Sequence, residues 1–275
     1  MELIDEQILG TIDEDKIGYP AYTFLRMTQQ ATDTTIHGRG SPSKQCGLVK
    51  SYFRPSDDSC LLPFNIPGNA MLSVVLNKTY KMLSKVGIAK ELAEECSIKS
   101  RNIEKAIYKH GIITNKFNEK MFAYEVDGYG SYYLMDDANV PSLLSLPYLG
   151  FIEKNDPIYL ATRKYVLSEN NPYYFVGKAG HGIGGPHNGD GWIWPMAIIM
   201  EALTTDNDSE ISDCLQRLVS TTAGLNFMHE SFWRDDANSF SRPWFAWANT
   251  LFGELVVKLM NEKPYILKKF QSEKK

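Results

Sequence analysis

Apolar residues recur at helical spacing through "NAMLSVVLNKTYKMLSKVG" (69–87), which closes on Lys85 and Gly87, a basic last turn followed by a glycine suited to a helix cap. "IAKELAEECSIKSRNIEKAIYKHG" (88–111) follows at once, so the pattern predicts two antiparallel helices joined by a short link. The same spacing predicts helices over 141–149, 156–168, 190–204, 209–223 and 243–262, with a weaker one around 21–31, roughly eight in all. A β-like stretch is read in "MFAYEVDGYGSYYLMD" (121–136), where Tyr, Phe and Val flank a DGYG turn. No βαβ alternation is found, which argues against a parallel-sheet enzyme. Paired helices with polar connections predict an all-α toroid, in which inner and outer helices alternate and the loops at one end build the site. One catalytic domain over 1–275 is the expected organisation.

Composition adds limits. At 275 residues, 43% apolar and 23% charged, the chain reads as globular and able to bury a substantial core. A formal net charge of −4 gives no electrostatic footprint for nucleic acid, so none is expected as a partner. No stretch reaches the roughly 18 to 20 uncharged apolar residues of a membrane span. The start "MELIDEQILGTIDEDK" is acidic where a signal peptide is basic and then apolar, so as written the chain reads as cytoplasmic, or as having lost a targeting segment. The tail "KKFQSEKK" reads as a frayed charged end. Cys46, Cys60, Cys96 and Cys214 form no CxxC pair and are read as reduced and structural.

Candidate chemistry lies in the loops. "GHGIGGPHNGDGWIWP" (180–195) packs six glycines, two histidines, an aspartate and two tryptophans into sixteen positions. Its glycines let the backbone turn tightly and approach a ligand, with His181, His187 and Asp190 at the rim. Asp190 is also placed to cap a helix beginning at "GWIWP", with Pro195 in the first turn. A phosphate loop is set aside, for there is no GK[ST] lysine and no preceding strand. A zinc site from His181, His187 and His229 is set aside too, because the spacing is not HExxH and no cysteine accompanies it. Neither metal nor cofactor is therefore assigned.

All five tryptophans fall between 192 and 247, among Asp, Asn, His and Arg. Sugars present flat C–H faces to aromatic rings and hydroxyls to such polar groups, so the clustering suits a carbohydrate pocket. Glycoside hydrolysis needs two carboxylates, one to protonate the leaving oxygen and one to activate water or attack carbon. Candidates abound. They lie in "YFRPSDDSC" (52–60), "LMDDANVPSLLSLPYLG" (134–150), the glycine-rich loop and "MHESFWRDDANSFSRPWFAWANTLFGEL" (228–255).

At those four segments, in "FRPSDD", "DDANVPSLLSLPYLG", "GIGGPH..GDGWIWPMAIIMEALTT" and "MHESF...SRPWFAWANTLFGEL", the chain closely resembles glycoside hydrolase family 125, the exo-acting α-1,6-mannosidases. "YPAYTFLRMTQQATDT" resembles the same family's approach to the RPSDD loop, and the likeness runs from about Tyr19 to about Leu259. The resemblance implies an (α/α)6 barrel and a metal-independent, inverting removal of non-reducing terminal α-1,6-linked mannose. It implies an aspartate general acid in RPSDD, Asp57 or Asp58 with Asp57 preferred, and Glu230 in "HESF" as general base. Asp58 is the substrate-orienting or helix-side partner, and capping is the alternative role for the pair. Asp136 and Asp137 are a rival pair, assigned to sugar hydroxyls or to holding the loop. Arg54, Asn139, His181, His187, Asp190, Trp192, His229, Arg242 and Trp244 complete the expected substrate-binding set. The expected partner is an α-mannoside oligosaccharide or N-glycan fragment.

In length the chain departs from the resemblance, since a closed (α/α)6 barrel has twelve helices. An incomplete toroid, lacking roughly the first third of the barrel and carrying a short β-hairpin, is therefore expected. It would expose an apolar face and self-associate through it, or draw its missing helices from another polypeptide. The alternative function is a catalytically inactive remnant that binds mannosides.

Overall fold

The chain begins with a short helix that apolar spacing does not announce, α1 (Glu2–Ile8), held by tertiary contacts: Asp5 pairs with Lys99, and the Gln7 carbonyl accepts from the Lys50 amide. A computed structural model of the protein describes residues 1–13, 16–17, 23–28 and 30–272. The chain divides into two compact units, Met1–Met135 with Val140–Lys164, and Asp136–Asn139 with Tyr165–Lys275.

In the first unit, β1 (Ile12–Asp13) pairs with β2 (Lys16–Ile17), and β3 (Phe64–Asn65) leads into α2 (Ile66–Val86), followed by α3 (Lys90–His110). Asn65 caps α2 through its side-chain oxygen, which accepts from the Gly68 amide at 2.8 Å, and Gly87 ends the helix at φ 78°. The two helices are clamped where the Ser73 hydroxyl donates to the Ser100 carbonyl and the Ser100 hydroxyl to the Ser73 carbonyl. Ile66, Ala70, Ile103 and Ile107 are buried. The period-two stretch forms β5 (Lys120–Phe122), which pairs with β4 (Ile112–Thr114), and β6 (Glu125–Val126), which pairs with β3 and with β7 (Tyr132–Tyr133). The Asp127 side chain collects the amides of Tyr129, Gly130 and Ser131 and so makes the DGYG turn. Two helices follow, α4 (Leu146–Leu149) and α5 (Pro157–Val166).

In the second unit, β8 (Tyr174–Val176) and β9 (His181–Ile183) form a hairpin. A three-stranded antiparallel sheet joins β10 (Trp192–Ile193), β11 (Ser231–Trp233) and β12 (Asp236–Ser241). Helix α6 (Pro195–Leu203) is buried over its whole length, as its apolar character all round requires. It packs with α7 (Asp208–Ser220) and α8 (Ala246–Glu262), and α9 (Pro264–Ser272) follows.

Several expected elements change. The helix around 21–31 falls partly on residues outside those described. Residues 23–28 are not helical, and a 3-10 turn spans Ala31–Asp33. Here the backbone bonds away from a helical ladder: the Phe24 carbonyl accepts from the Thr34 and Thr35 hydroxyls, and its amide donates to the Gly38 carbonyl. The helix over 141–149 shrinks to α4, because the Ser142 and Ser145 hydroxyls capture each other's backbone amides in a turn. The helix over 190–204 starts at Pro195, since Trp192 and Ile193 pair with Trp233 and Phe232 instead. The tail is helical to Ser272; its last three residues lie outside the described set.

Candidate active site

In the first unit, Arg54–Asp58 forms a tight loop. The Arg54 amide donates to the Asp58 carbonyl at 2.8 Å and the Asp57 amide to the Arg54 carbonyl at 3.0 Å, while Phe53 and Ser59 make a lone β-bridge. The turn drives Asp57 to φ 70°, a left-handed conformation unusual for a non-glycine residue, and leaves its side chain exposed. Asp58 is buried and accepts from the Ser56 hydroxyl at 3.2 Å. Neither aspartate precedes a helix, so the capping role expected as their alternative falls to Asn65.

Arg54 is committed in part to the scaffold. Its Nε donates to Glu125 Oε1 at 2.7 Å in a buried pair, and Glu125 Oε2 accepts from the amides of Leu61 and Leu62. The guanidinium lies over the rings of Tyr124 and Tyr133, and Nη2 is buried without a hydrogen-bond partner.

In the second unit, Asp136, Asp137 and Asn139 are buried. Asp137 Oδ1 accepts from the Asn139 amide and side chain at 3.1 and 3.0 Å, and the Ala138 amide donates to the Gly184 carbonyl. The Ala138 amide thus ties the DDAN segment to the glycine-rich loop, while Asp137 braces the segment internally through Asn139.

Two glycines in that loop make room for protein rather than for ligand. A Cβ on Gly184 would stand 2.0 Å from the Trp192 carbonyl oxygen, and one on Gly191, at φ 87°, 2.4 Å from the Trp233 ring. Asp190 is exposed and precedes β10, so it does not cap α6, whose N-cap is Trp194. His187 meets Trp194 edge to face, Trp192 meets Trp233 likewise, and Trp194 Nε1 is buried without a partner.

His181 sits at the start of β9, where Arg217 Nη1 donates to its carbonyl at 2.8 Å. Arg217 also holds Glu201 at 2.9 Å and Asp213 at 2.8 Å. Burial and then the charge of Arg217 hold the His181 imidazole below the ordinary histidine range. Sequence reading missed this arginine network, whose visible trace was the i,i+4 spacing of Asp213 and Arg217 on α7.

Glu230 lies just ahead of β11 and is 4% exposed. Its Oε2 accepts from the Ser241 hydroxyl at 2.9 Å, Oε1 faces Arg242 Nε at 3.3 Å, and its amide donates to the Arg242 carbonyl. Arg242 is bent to φ 42° with its side chain 62% exposed. His229 stacks on Phe240 with centroids 4.0 Å apart, and its Nδ1 lies 2.9 Å from the Pro243 carbonyl. A carbonyl can only accept, so Nδ1 carries a proton and donates it, while Nε2 is buried without a hydrogen-bond partner. Trp244 is exposed at the end of this segment. The expected histidines are thus differently engaged, and among the described residues no group of three or more His, Cys, Asp or Glu is gathered to hold a metal.

Against known proteins, residues 1–257 match the family described as metal-independent alpha-mannosidase (GH125). The Meiotically up-regulated gene 157 protein of Schizosaccharomyces pombe is 50% identical over 275 residues, covering 98% of this chain and 54% of that protein. Among solved structures, a Streptococcus pneumoniae protein superimposes with a TM-score of 0.89 at 36% identity over 95% of this chain and 61% of its own. It is described as one of a family of metal-independent alpha mannosidases, in a non-productive substrate complex with alpha-1,6-mannobiose. A bacterial glucoamylase complexed with acarbose shares the fold alone, at a TM-score of 0.56 and 16% identity over 70% of this chain and 33% of its own. The chain thus spans 54% and 61% of the length of the first two relatives. Its mostly helical architecture is the α/α-type fold of those enzymes, and by sequence and by structure the chain belongs to the metal-independent α-mannosidases of glycoside hydrolase family 125.

Proposed function

We propose that residues 1–275 act as one catalytic domain that removes non-reducing terminal α-1,6-linked mannose from an oligosaccharide or N-glycan fragment, with inversion at the anomeric carbon. The observation that carries this is Glu230, a buried carboxylate whose Oε2 is fixed by a hydroxyl while Oε1 faces only the guanidinium of a largely exposed arginine. Such a group has a set orientation and a lone pair to spare, as a general base requires. The mannobiose bound by the Streptococcus pneumoniae relative supports the linkage.

Glu230 takes a proton from water as the water attacks C1, while an aspartate of RPSDD protonates the departing glycosidic oxygen. Asp57 is the preferred acid: its carboxyl is exposed, and its left-handed backbone is the kind of strain found at functional positions. Asp58, buried and bonded by Ser56, steadies the loop and the substrate. Sugar hydroxyls are bound by Arg54, Asp136, Asp137, Asn139, His181, His187, Asp190, His229 and Arg242, and Trp192 and Trp244 stack on the sugar faces.

The test is hydrolysis of α-1,6-mannobiose by the purified protein, with the product anomer followed by NMR. Inversion releases β-mannose first, and α-mannose appearing first would overturn the stereochemical assignment. Binding of mannobiose without hydrolysis would favour the second function, a mannoside-binding protein.

A further inference from the structure

Ser231 and Ser241 are direct partners across the antiparallel β11–β12 pair, so their side chains stand on one face of the hairpin. Their hydroxyl oxygens are 2.7 Å apart, and Ser241 Oγ is 2.9 Å from Glu230 Oε2. The direction of both bonds follows from counting protons. An ionised carboxylate only accepts, and a hydroxyl has one proton, so Ser241 gives its proton to Glu230 and must accept from Ser231.

We propose that Ser241, oriented by Ser231, is a positioning residue that fixes the Glu230 carboxylate and reserves Oε1 for the attacking water. Its catalytic consequence rests on Glu230 being the base. The other neighbour, Arg242, touches Oε1 through a largely exposed side chain, and a screened contact of that kind orients a carboxylate weakly. The hydroxyl bond to a charged acceptor is the firmer restraint, and Ser231, fully buried, holds it in place. With Oε2 occupied, the carboxylate has one oxygen facing a group that can swing away. A base misplaced by about an ångström loses on the order of 100-fold in rate, so the restraint bears on kcat.

Steady-state kinetics and crystallography of the full chain decide the matter together. In Ser241→Ala, kcat falls on the order of 10-fold or more with KM within about twofold, and Ser241→Thr, which keeps the hydroxyl, recovers most of the loss. Ser231→Ala costs less, and costs nothing further once Ser241 is alanine, because the two act in one chain. A Ser241→Ala protein with unchanged kcat, or with its loss confined to KM, overturns the proposal. So does a Ser231→Ala effect that persists in full in the double variant. In the crystal structure of Ser241→Ala, the Glu230 carboxylate leaves its present position; an unmoved carboxylate is equally fatal. If Glu230→Gln is as active as the unaltered protein, the base assignment under the proposed function fails, and the crystal structure alone then decides whether Ser241 sets the carboxylate.

Discussion

At the scale of single residues, the proposed acid and base differ in a way that kinetics can read. General base assistance is typically worth 10² to 10⁴, so Glu230→Gln is expected to lower turnover at least about 100-fold while the thermal transition stays in place. Asp57→Asn should spare an activated aryl mannoside, whose leaving group needs little protonation, more than mannobiose. Equal losses on the two substrates at Asp57, with selective losses at Asp58, would move the acid to Asp58. The Arg54–Glu125 pair belongs to stability. Glu125→Gln leaves a buried guanidinium without its countercharge and Oε2 without the charge that gathers the amides of Leu61 and Leu62. The expected cost is about 3 to 5 kcal/mol, measured as a lower denaturant midpoint at unchanged slope. A loss under 1 kcal/mol would show that the loop before α2 does not depend on this pair. None of this pairing was legible in the sequence, because Arg54 and Glu125 are 71 positions apart and only the folded chain brings them together.

At the scale of elements, long periodic segments were readable and short ones were not. Helices α2, α3, α5, α7 and α8 follow their apolar spacing to within a few residues, since each is long enough for the pattern to repeat. Strands of two or three residues such as β10 and β11 give no such pattern, so the sheet that places Glu230 beside Ser241 was invisible, although "HESF" itself was not. The glycine-rich loop was recognised for its composition, yet part of its need for glycine comes from the protein's own Trp192 and Trp233. Its entry at β9 carries a pH dependence. His181 in the folded chain is held below the ordinary histidine value by burial and by Arg217, so near pH 6 the unfolded chain binds more protons than the folded one. The stability contribution is therefore complete above about pH 6.5, the unfolded value, and is lost as the pH falls through the lower, folded one. Between pH 7 and pH 5 the melting temperature of the unaltered protein should drop further than that of His181→Gln. Parallel drops in calorimetry would mean that this imidazole does not titrate differently on unfolding.

At the scale of the molecule, the α/α-type fold was legible through the resemblance, while the distribution of apolar residues over one helix of the first unit was not. In the first unit, Met71, Val75, Met82 and Val86 of α2 are all exposed. At about 100° per residue they fall within a stripe roughly 60° wide. The opposite face of the same helix is buried and partly polar: Asn69 bonds both backbone groups of Val49, and Ser73 bonds Ser100. An ordinary surface helix has the reverse pattern, with apolar residues inward and polar ones outward. Ile88, between α2 and α3, and Leu92 and Ile98 of α3 add to the exposed apolar surface of the hairpin. Scattered exposed hydrophobics are common on soluble proteins, but a stripe repeated along four turns of one helix is not scattered. The purified chain is therefore expected to self-associate, with a light-scattering mass after size exclusion that rises with concentration. Replacing Val75 and Met82 by glutamate should return it to the monomer mass without lowering its thermal stability, since both side chains already face water in the isolated chain. A chain that stays monomeric at high concentration, or a double variant that associates as before, would show that the α2 stripe is not the contact.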